Sequence, residues 1–201
     1  MNPSPRSLLA LALLASLPLA AQPPAAPAAP SSALPAPRAR VSPHETISTV
    51  IGDPRTGNRV TITYGRPYSK DPKSAEIRKV WGGVVPWEKA YRLGSDEATL
   101  LLTQQPISFG ETTIPAGAYT LYLVPSETGV TKLAISTNIA KWGVPVDEKH
   151  DLARVDVKKE PMETQLDQLT LAIANDPATG GGTLIIAWEK TKYSVAFTVK
   201  K

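Results

Sequence analysis

Residues 114–129 read IPAGAYTLYLVPSETG, and their pattern decides the fold. A turn containing proline and glycine comes first, and a second turn rich in Pro, Ser and Gly follows residue 124. These residue types preset bends in the backbone. The intervening run, residues 119–124, is largely apolar without strict alternation, which is typical of a strand buried on both faces. The stretch therefore predicts a central strand of a β-sheet.

Three other stretches alternate apolar with polar residues. Because successive side chains of a strand point to opposite faces, a period of two predicts a strand with one face on a core. The apolar positions are Val60, Ile62 and Tyr64; Leu169, Leu171 and Ile173; and Tyr193, Val195, Phe197 and Val199. Turn residues rich in Gly, Pro, Asn and Asp occur at 53–58, 175–177 and 180–182.

Short strands with frequent turns predict an all-β fold, a single antiparallel β-sandwich or barrel-like domain with short hairpins. No sustained helical stripe occurs after the N-terminal segment. The one helical turn that the pattern favours covers residues 86–91, because Pro86 suits the first helical position.

The first forty residues do not belong to that domain. Residues 1–21 carry one positive charge, an apolar run and then small residues, which predicts a signal peptide. A buried helix or an uncleaved anchor are the alternatives, and the shortness of the run counts against both. Residues 22–40 alternate Pro and Ala, which is typical of a semi-rigid linker. Residues 41–201 remain as one β-sandwich domain, long enough to bury a sizeable core.

Composition narrows the class of protein. The chain has no cysteine, which excludes disulfides, thiol catalysis and cysteine metal sites. The formal net charge is +4, but basic and acidic residues are interspersed, which favours a mixed solvated surface over a nucleic-acid interface. We therefore expect a periplasmic or secreted protein that binds no nucleic acid and has no transmembrane segment once the signal is removed.

The candidate site lies in residues 80–103, VWGGVVPWEKAYRLGSDEATLLLT. Aromatic rings beside a guanidinium form a platform for a sugar ring, a carboxylate or a planar ligand. The candidate ligand-binding residues are Trp87, Tyr91, Arg92, Asp96, Glu97 and, at the end of a predicted strand, Arg66. In the alternative interpretation the rings plug the sandwich end, Arg92 pairs with Asp96 or Glu97, and Arg66 forms a salt bridge.

No catalytic, metal or cofactor site is predicted. Asp96 and Glu97 are neighbours, and on a strand their side chains would point to opposite faces, so they could not flank one bond. Ser95 lacks the glycine two residues later that a nucleophile elbow requires. The two histidines, His44 and His150, have no short metal-ligand spacing.

Several motifs together resemble a known bacterial family. The motifs are SPHETISTVIGD (42–53), VTITYGRP (60–67), the stretch 80–103, IPAGAYTLYLVP (114–125), DLARVDVK (151–158) and LIIAWEKTKYSVAFTV (184–199). The chain resembles domain-of-unknown-function family 2911, whose members are mostly small exported proteins. The resemblance implies an exported β-rich domain and no particular substrate.

The chain departs from the family pattern near the candidate site. Family members commonly carry tryptophan where this chain has Tyr91, and an Ala-Asn pair where it has Ser95 and Asp96. The segment 68–79 is longer than usual and carries many charges. A ligand shared by the family would therefore meet a different surface here.

Three classes of function fit these observations. The first is a non-catalytic envelope domain that binds a small ligand, a glycan or a protein partner. The second is a hydrolase acting on an envelope substrate, and the third is a structural accessory domain. A cleft with convergent carboxylates would favour the enzyme, an aromatic groove with an arginine would favour binding, and a filled sandwich end would favour the structural role.

Export can be tested directly. Expressed in a bacterium with its own N-terminus, the protein should be recovered outside the cytoplasm and shortened by about 20–22 residues, a usual signal length. Intact mass of the purified protein measures the cleavage. Full-length protein retained in the inner membrane would contradict the signal-peptide prediction.

Overall fold

The computed structural model describes residues 40–200, which form two antiparallel β-sheets packed against each other. The sheets are separate, so the predicted all-β class is confirmed and the sandwich is correct rather than the barrel-like alternative. The predicted signal peptide, and the predicted linker up to residue 39, lie outside the described residues. Within the described part, no helix is long and apolar enough to cross a membrane.

Residues 40–200 contain ten strands and one short 3₁₀ turn, Glu148–His150. The strands are β1 (His44–Ile51), β2 (Asn58–Gly65), β3 (Thr99–Thr103), β4 (Ile107–Phe109), β5 (Thr112–Ile114), β6 (Gly117–Val124), β7 (Lys132–Ser136), β8 (Asp151–Asp156), β9 (Lys158–Asp176) and β10 (Gly181–Val199). The larger sheet has the order β1-β2-β3-β6-β7-β8, and the smaller has the order β5-β4-β10-β9.

Strand β6 is the central strand that its sequence predicts. It lies between β3 and β7, and residues 119–123 are all buried. Tyr119, Leu121 and Leu123 belong to the core between the sheets. Thr120 and Tyr122 point to the outer face, where residues 137–147, here called the cover segment, pack over them; the Thr120 hydroxyl donates to the Asn138 carbonyl at 2.9 Å. Both faces are therefore buried for different reasons.

Strand β1 is missing from the sequence-based prediction. It pairs with β2 over its whole length, and its inward positions include Glu45 and Thr49. Polar residues at inward positions hide the alternation, and each needs a partner. The Tyr64 hydroxyl donates to Glu45 Oε2 at 2.5 Å, and the Thr49 hydroxyl donates to the Ile173 carbonyl at 3.4 Å. Both polar groups are thereby satisfied.

The smaller sheet is dominated by the long β9–β10 hairpin. Leu169, Leu171, Tyr193 and Phe197 are buried, as the alternation predicts. The pairing register shifts between Ala187 and Thr191, which lets the hairpin bend over the core. The hairpin connection covers residues 177–180, so Gly180 lies in it as predicted, whereas Gly181 and Gly182 already belong to β10 and pair with Asp176 and Asn175.

A fully buried amide fixes the connection between β3 and β4. The Asn58 carboxamide oxygen accepts from the backbone N–H groups of Gln104 and Gln105 at 3.0 and 2.9 Å, and its nitrogen donates to the Thr103 hydroxyl at 2.9 Å. Asn58 is 0% exposed. A buried amide with this many hydrogen-bond partners fixes the start of β2 to the turn between β3 and β4.

Substitution Asn58→Ala should lower the free energy of unfolding by about 2–3 kcal/mol, because it removes the acceptor of the partly buried Gln105 N–H and the amide partner of the buried Thr103 hydroxyl. Urea denaturation measures the loss. The control is Asn175→Ala, at an exposed position of the hairpin, which should change it by less than about 0.5 kcal/mol. Equal losses in the two variants would show that the buried amide contributes nothing special.

Candidate functional site

The first half of the candidate stretch is an aromatic plug. The Trp81 ring is stacked on Trp87 with centroids 6.2 Å apart, and meets Trp188 and Tyr193 edge-on at 6.4 and 5.2 Å. Trp188 and Tyr193 are fully buried, and Trp81 is 9% exposed. Edge-on and offset aromatic pairs are the favoured geometries, so this cluster stabilises the core. Trp87 is the outermost ring and lies under the Lys159 ammonium, 4.9 Å from the centroid.

The predicted helical turn at residues 86–91 is wrong. Glu88 has φ +58°, and its N–H donates to the Pro125 carbonyl. Tyr91 is extended and exchanges two backbone hydrogen bonds with Leu123, at 2.7 and 2.8 Å. The segment is therefore held against the end of β6 by backbone pairing. Trp87 and Tyr91 consequently do not lie on one helical face: Trp87 joins the plug and Tyr91 lines a cavity.

The second half of the stretch borders a cavity of about 760 Å³, here called the arginine cavity. Its walls come from the charged segment 68–79, the segment 90–95 and the cover segment. Tyr91, Arg92 and Arg78 line it. Burial raises the pKa of the Tyr91 hydroxyl above its ordinary value, and the two guanidinium groups partly oppose that shift. The hydroxyl therefore stays neutral beside two cations.

Arg92 makes its hydrogen bonds with backbone carbonyl groups. Its Nε donates to the Gly94 carbonyl at 3.2 Å, and its Nη1 donates to the carbonyls of Asp96 and Trp142 at 2.6 and 3.2 Å. Its guanidinium carbon also lies 5.5 Å from the centroid of the Trp142 ring. Among residues 40–200, no carboxylate oxygen lies within 4 Å of it. The expected pairing of Arg92 with the side chain of Asp96 or Glu97 does not occur.

Arg78 is in the same situation. It donates to the Tyr68 and Ser69 carbonyls, and no carboxylate of the described chain lies within 4 Å of it. The sequence places Arg78 in the charged segment 68–79, but no motif or residue spacing connects that segment with Arg92.

Acidic residues of the arginine cavity are already engaged. The backbone N–H groups of Ser74 and Lys73 lower the pKa of Asp71. Glu148 pairs with Arg154. Asp71 stays ionised, so the excess of positive charge on the wall comes from Lys73, Arg78 and Arg92, which outnumber the two carboxylates. Ser95 lines it as well, and its hydroxyl is buried without a hydrogen-bond partner in the described structure.

Strained backbone surrounds the contact between Arg92 and Trp142. Leu93, Asp96 and Ala140 have φ of +58°, +61° and +58°. A non-glycine residue in the left-handed region costs about 1–2 kcal/mol, and such residues cluster at functional sites. At Leu93 and Ala140 no side-chain hydrogen bond compensates for the strain, whereas Asp tolerates this region better.

Asp96 and Glu97 lie in a loop rather than on a strand, because β3 begins at Thr99. Their side chains therefore converge, contrary to the strand-based expectation. The His44 Nε2 atom lies 3.1 Å from Glu97 Oε2 and 3.8 Å from Asp96 Oδ2. The Arg40 guanidinium pairs with Glu97 and lowers the pKa of that carboxyl to about 2. Within residues 40–200, no cluster of acidic and histidine side chains could hold a metal ion.

Arg66 lies at the junction of the two sheets and does not line the arginine cavity. Its Nε donates to the Leu169 carbonyl at 3.2 Å and lies 3.5 Å from Glu45 Oε2. Its Nη2 donates to the Thr170 hydroxyl at 3.0 Å. The geometry matches the salt-bridge interpretation, and the structure does not bring Arg66 together with Arg92 at one cavity.

Two more cavities adjoin the cover segment. One, of about 270 Å³, lies between this segment and the outer face of β6 and is here called the inner cavity. The other, of about 790 Å³, lies over the outer faces of β2, β3 and β6 and is here called the outer groove. Trp142 lines both and is 56% exposed. Trp142 therefore belongs neither to the core nor to a buried sheet edge.

Fold and site together define a β-sandwich protein with one aromatic-filled region and a cationic cavity beside it. The chain belongs to the family described as Protein of unknown function (DUF2911), whose model matches residues 42–197. This confirms the resemblance found in the sequence. Neither the curated proteins nor the solved structures gave a significant match.

Three tryptophan substitutions separate plug from surface. Trp81→Ala should lower the free energy of unfolding by about 3–5 kcal/mol, the usual cost of removing a buried large aromatic. Trp142→Ala should cost less than about 1 kcal/mol, since it loses a half-exposed ring and one cation–π contact. Trp87→Ala should fall between them. Urea denaturation measures all three, and a cost at Trp142 equal to that at Trp81 would refute the assignment.

Proposed function

We propose that this protein is a non-catalytic binding domain of the cell envelope, and that its arginine cavity takes a small anionic ligand such as an acidic sugar. The observation that carries the proposal is the pair Arg78 and Arg92. Both guanidinium groups line one cavity, and neither has a carboxylate partner in the described part of the chain.

The charge of the two guanidinium groups favours an anionic ligand. A half-buried guanidinium that bonds only carbonyl oxygens keeps its full positive charge with reduced solvation. A carboxylate or phosphate entering the cavity would supply that charge with a partner, and such charged hydrogen bonds contribute about 1.5–3 kcal/mol each. The Ser95 hydroxyl, which has no hydrogen-bond partner in the described structure, is a further donor beside the two cations, whereas the Tyr91 hydroxyl already donates to the Gly94 carbonyl at 3.4 Å.

Binding is favoured over hydrolysis by the state of the acidic residues. A general acid in a glycosidase needs a raised pKa, whereas the pKa of Asp71 is lowered. The other carboxylate on the wall, Glu148, is held by Arg154. An aromatic and arginine surface without a competent acid supports recognition of a ligand rather than its cleavage.

A periplasmic or secreted location is part of the proposal. It is supported by the charge, apolar run and small residues of segment 1–21, and by the exported members that the family resemblance implies. An anionic ligand at that location would come from the envelope or its surroundings.

Anion binding can be measured by NMR titration of the arginine side-chain Nε–H signals. Glucuronate, succinate and inorganic phosphate should shift the signals of Arg92 and Arg78 and saturate, whereas glucose, which lacks the carboxylate of glucuronate, should not. Arg92→Gln and Arg78→Gln should each weaken binding by roughly tenfold or more, as expected for the loss of one charged hydrogen bond.

The matched control is Arg55→Gln, which makes the same change of charge at an exposed position that does not line the arginine cavity. It should leave the affinities unchanged. If none of the three anions saturates either signal, or if Arg55→Gln weakens binding as much as the cavity variants, the proposed function is wrong.

A further inference from the structure

The three cavities around the cover segment share walls. Arg92 and residues 143–146 line both the arginine cavity and the inner cavity. Ala98, Lys141 and Trp142 line both the inner cavity and the outer groove. The three cavities are therefore adjacent along the cover segment, with two guanidinium groups that lack a carboxylate partner at one end and the outer face of the larger sheet at the other.

Chemical character changes along this series. The arginine cavity carries Arg78, Arg92 and Lys73 beside the acidic residues Asp71 and Glu148. The outer groove includes the paired Arg40 and Glu97 together with His44 and Lys141, but most of its surface is apolar. The apolar residues of that groove are Leu100, Ala118, Ile139 and Trp142. Ile139 and Trp142 are 40% and 56% exposed, so large apolar side chains of one segment face solvent at its edge.

Exposed apolar residues also surround the arginine cavity. Val41, Val84 and Val144 line it, and they are 55%, 36% and 62% exposed. Scattered single apolar residues on a surface need no explanation, but a contiguous set next to a binding cavity is typical of a ligand-binding surface. A purely polar anion would leave these residues and the outer groove without a role.

We infer that the ligand is an anionic amphiphile, with its charged group between Arg78 and Arg92 and its hydrocarbon chain passing under the cover segment into the outer groove. This inference rests on the proposed function, because it assigns the charged group to the same two arginines. Charge favours this orientation of the ligand, because Arg78 and Arg92 have no carboxylate partner, whereas Arg40 in the outer groove is paired with Glu97. Lys141 also lines the groove, but it is exposed and its charge is solvated.

Two features of the cover segment fit this arrangement. Hydrogen bonds from Arg92 to the Trp142 carbonyl and from the Ala98 N–H to the Lys141 carbonyl hold the segment at the inner cavity. The Arg92 guanidinium would therefore both contact the ligand and help to position the segment. The left-handed Ala140 and the glycine at 143, with φ of +58° and +77°, place bends on either side of Trp142. The ring thereby lies between the inner cavity and the groove.

The test is a homologous series of carboxylates, acetate, butanoate, hexanoate, octanoate and decanoate, titrated below the concentrations at which they form micelles. Arg92 Nε–H signals and tryptophan fluorescence report binding. Once the chain is long enough to enter the inner cavity, each added methylene should tighten binding by about threefold to fourfold, the effect of burying one CH₂ group. Octanol, which has the chain without the charge, should bind at least tenfold more weakly than octanoate.

Groove variants locate the chain. Leu100→Asn and Ile139→Ser should abolish the gain from hexanoate to decanoate while leaving acetate binding unchanged. The control is Val130→Asn, at an exposed apolar position that lines none of the three cavities, which should leave the whole series unchanged. Ile139→Ser lies on the exposed cover segment, so it remains informative if Leu100→Asn loses stability.

The outcomes distinguish the inference from the proposed function. If acetate and glucuronate bind through Arg92 but chain length has no effect, the amphiphile is wrong and the anion site stands. If no anion binds, both are wrong. If the gain with chain length persists in both groove variants, or if octanol binds as tightly as octanoate, the inference is overturned.

Discussion

The guanidinium of Arg92 joins two segments that no strand connects. It donates to the carbonyls of Gly94 and Asp96 in the loop before β3, and to the Trp142 carbonyl fifty positions away in the cover segment. A cation that satisfies carbonyl groups in this way uses its donors without cancelling its charge. Arg92 shares this role with two other hydrogen bonds, from the Ala98 N–H to the Lys141 carbonyl at 3.1 Å and from the Thr120 hydroxyl to the Asn138 carbonyl at 2.9 Å. Together they hold the cover segment against the larger sheet, and Arg92 alone among them also carries a charge that a ligand can use.

The stretch of residues 80–103 has two halves with different roles. Trp81 and its neighbours fill the space between the sheets, so that part of the stretch serves stability. The chain then pairs with the end of β6 through Tyr91, and Leu93 returns to the core with a left-handed backbone. Beyond it, the Ser95 hydroxyl and one carboxylate oxygen of Asp96 are buried without a hydrogen-bond partner in the described structure. Of these residues, Ser95 lines the arginine cavity, where a ligand is proposed.

The sequence predicts most of the long strands well, because burial of one strand face imposes a period of two on the apolar residues. Strand β6 and the inward residues of β9 and β10 follow directly from their apolar patterns. Strand β1 escapes detection because Glu45 occupies an inward position, where the Tyr64 hydroxyl and the Arg66 guanidinium, both on the neighbouring strand or just after it, give its carboxylate partners. The prediction of a helical turn at residues 86–91 is wrong because proline is compatible with extended structure as well as with the first position of a helix.

The sequence predicts the candidate site only in part. Tyr91 and Arg92 line the arginine cavity as predicted, but Asp96, Glu97 and Arg66 do not. The predicted set of ligand-binding residues also lacks Arg78 and Trp142. Arg92 bonds to main-chain carbonyls, which every residue possesses, so no side-chain pattern reveals those partners. Long-range contacts of this kind depend on how loops pack, which a period of two does not encode.

The junction where Arg66 lies has a consequence for solubility. Strand β9 is an edge strand of the smaller sheet. An edge strand with unpaired backbone N–H and C=O groups can pair with a strand of another molecule. Here side chains occupy those groups: the Tyr64 hydroxyl accepts from the Leu171 N–H at 2.9 Å, and Arg66 donates to the Leu169 carbonyl. The backbone of residues 67–69 pairs with the neighbouring part of the strand. A foreign strand could add there only by displacing a buried tyrosine and an arginine, so this edge is protected against intermolecular β-sheet growth.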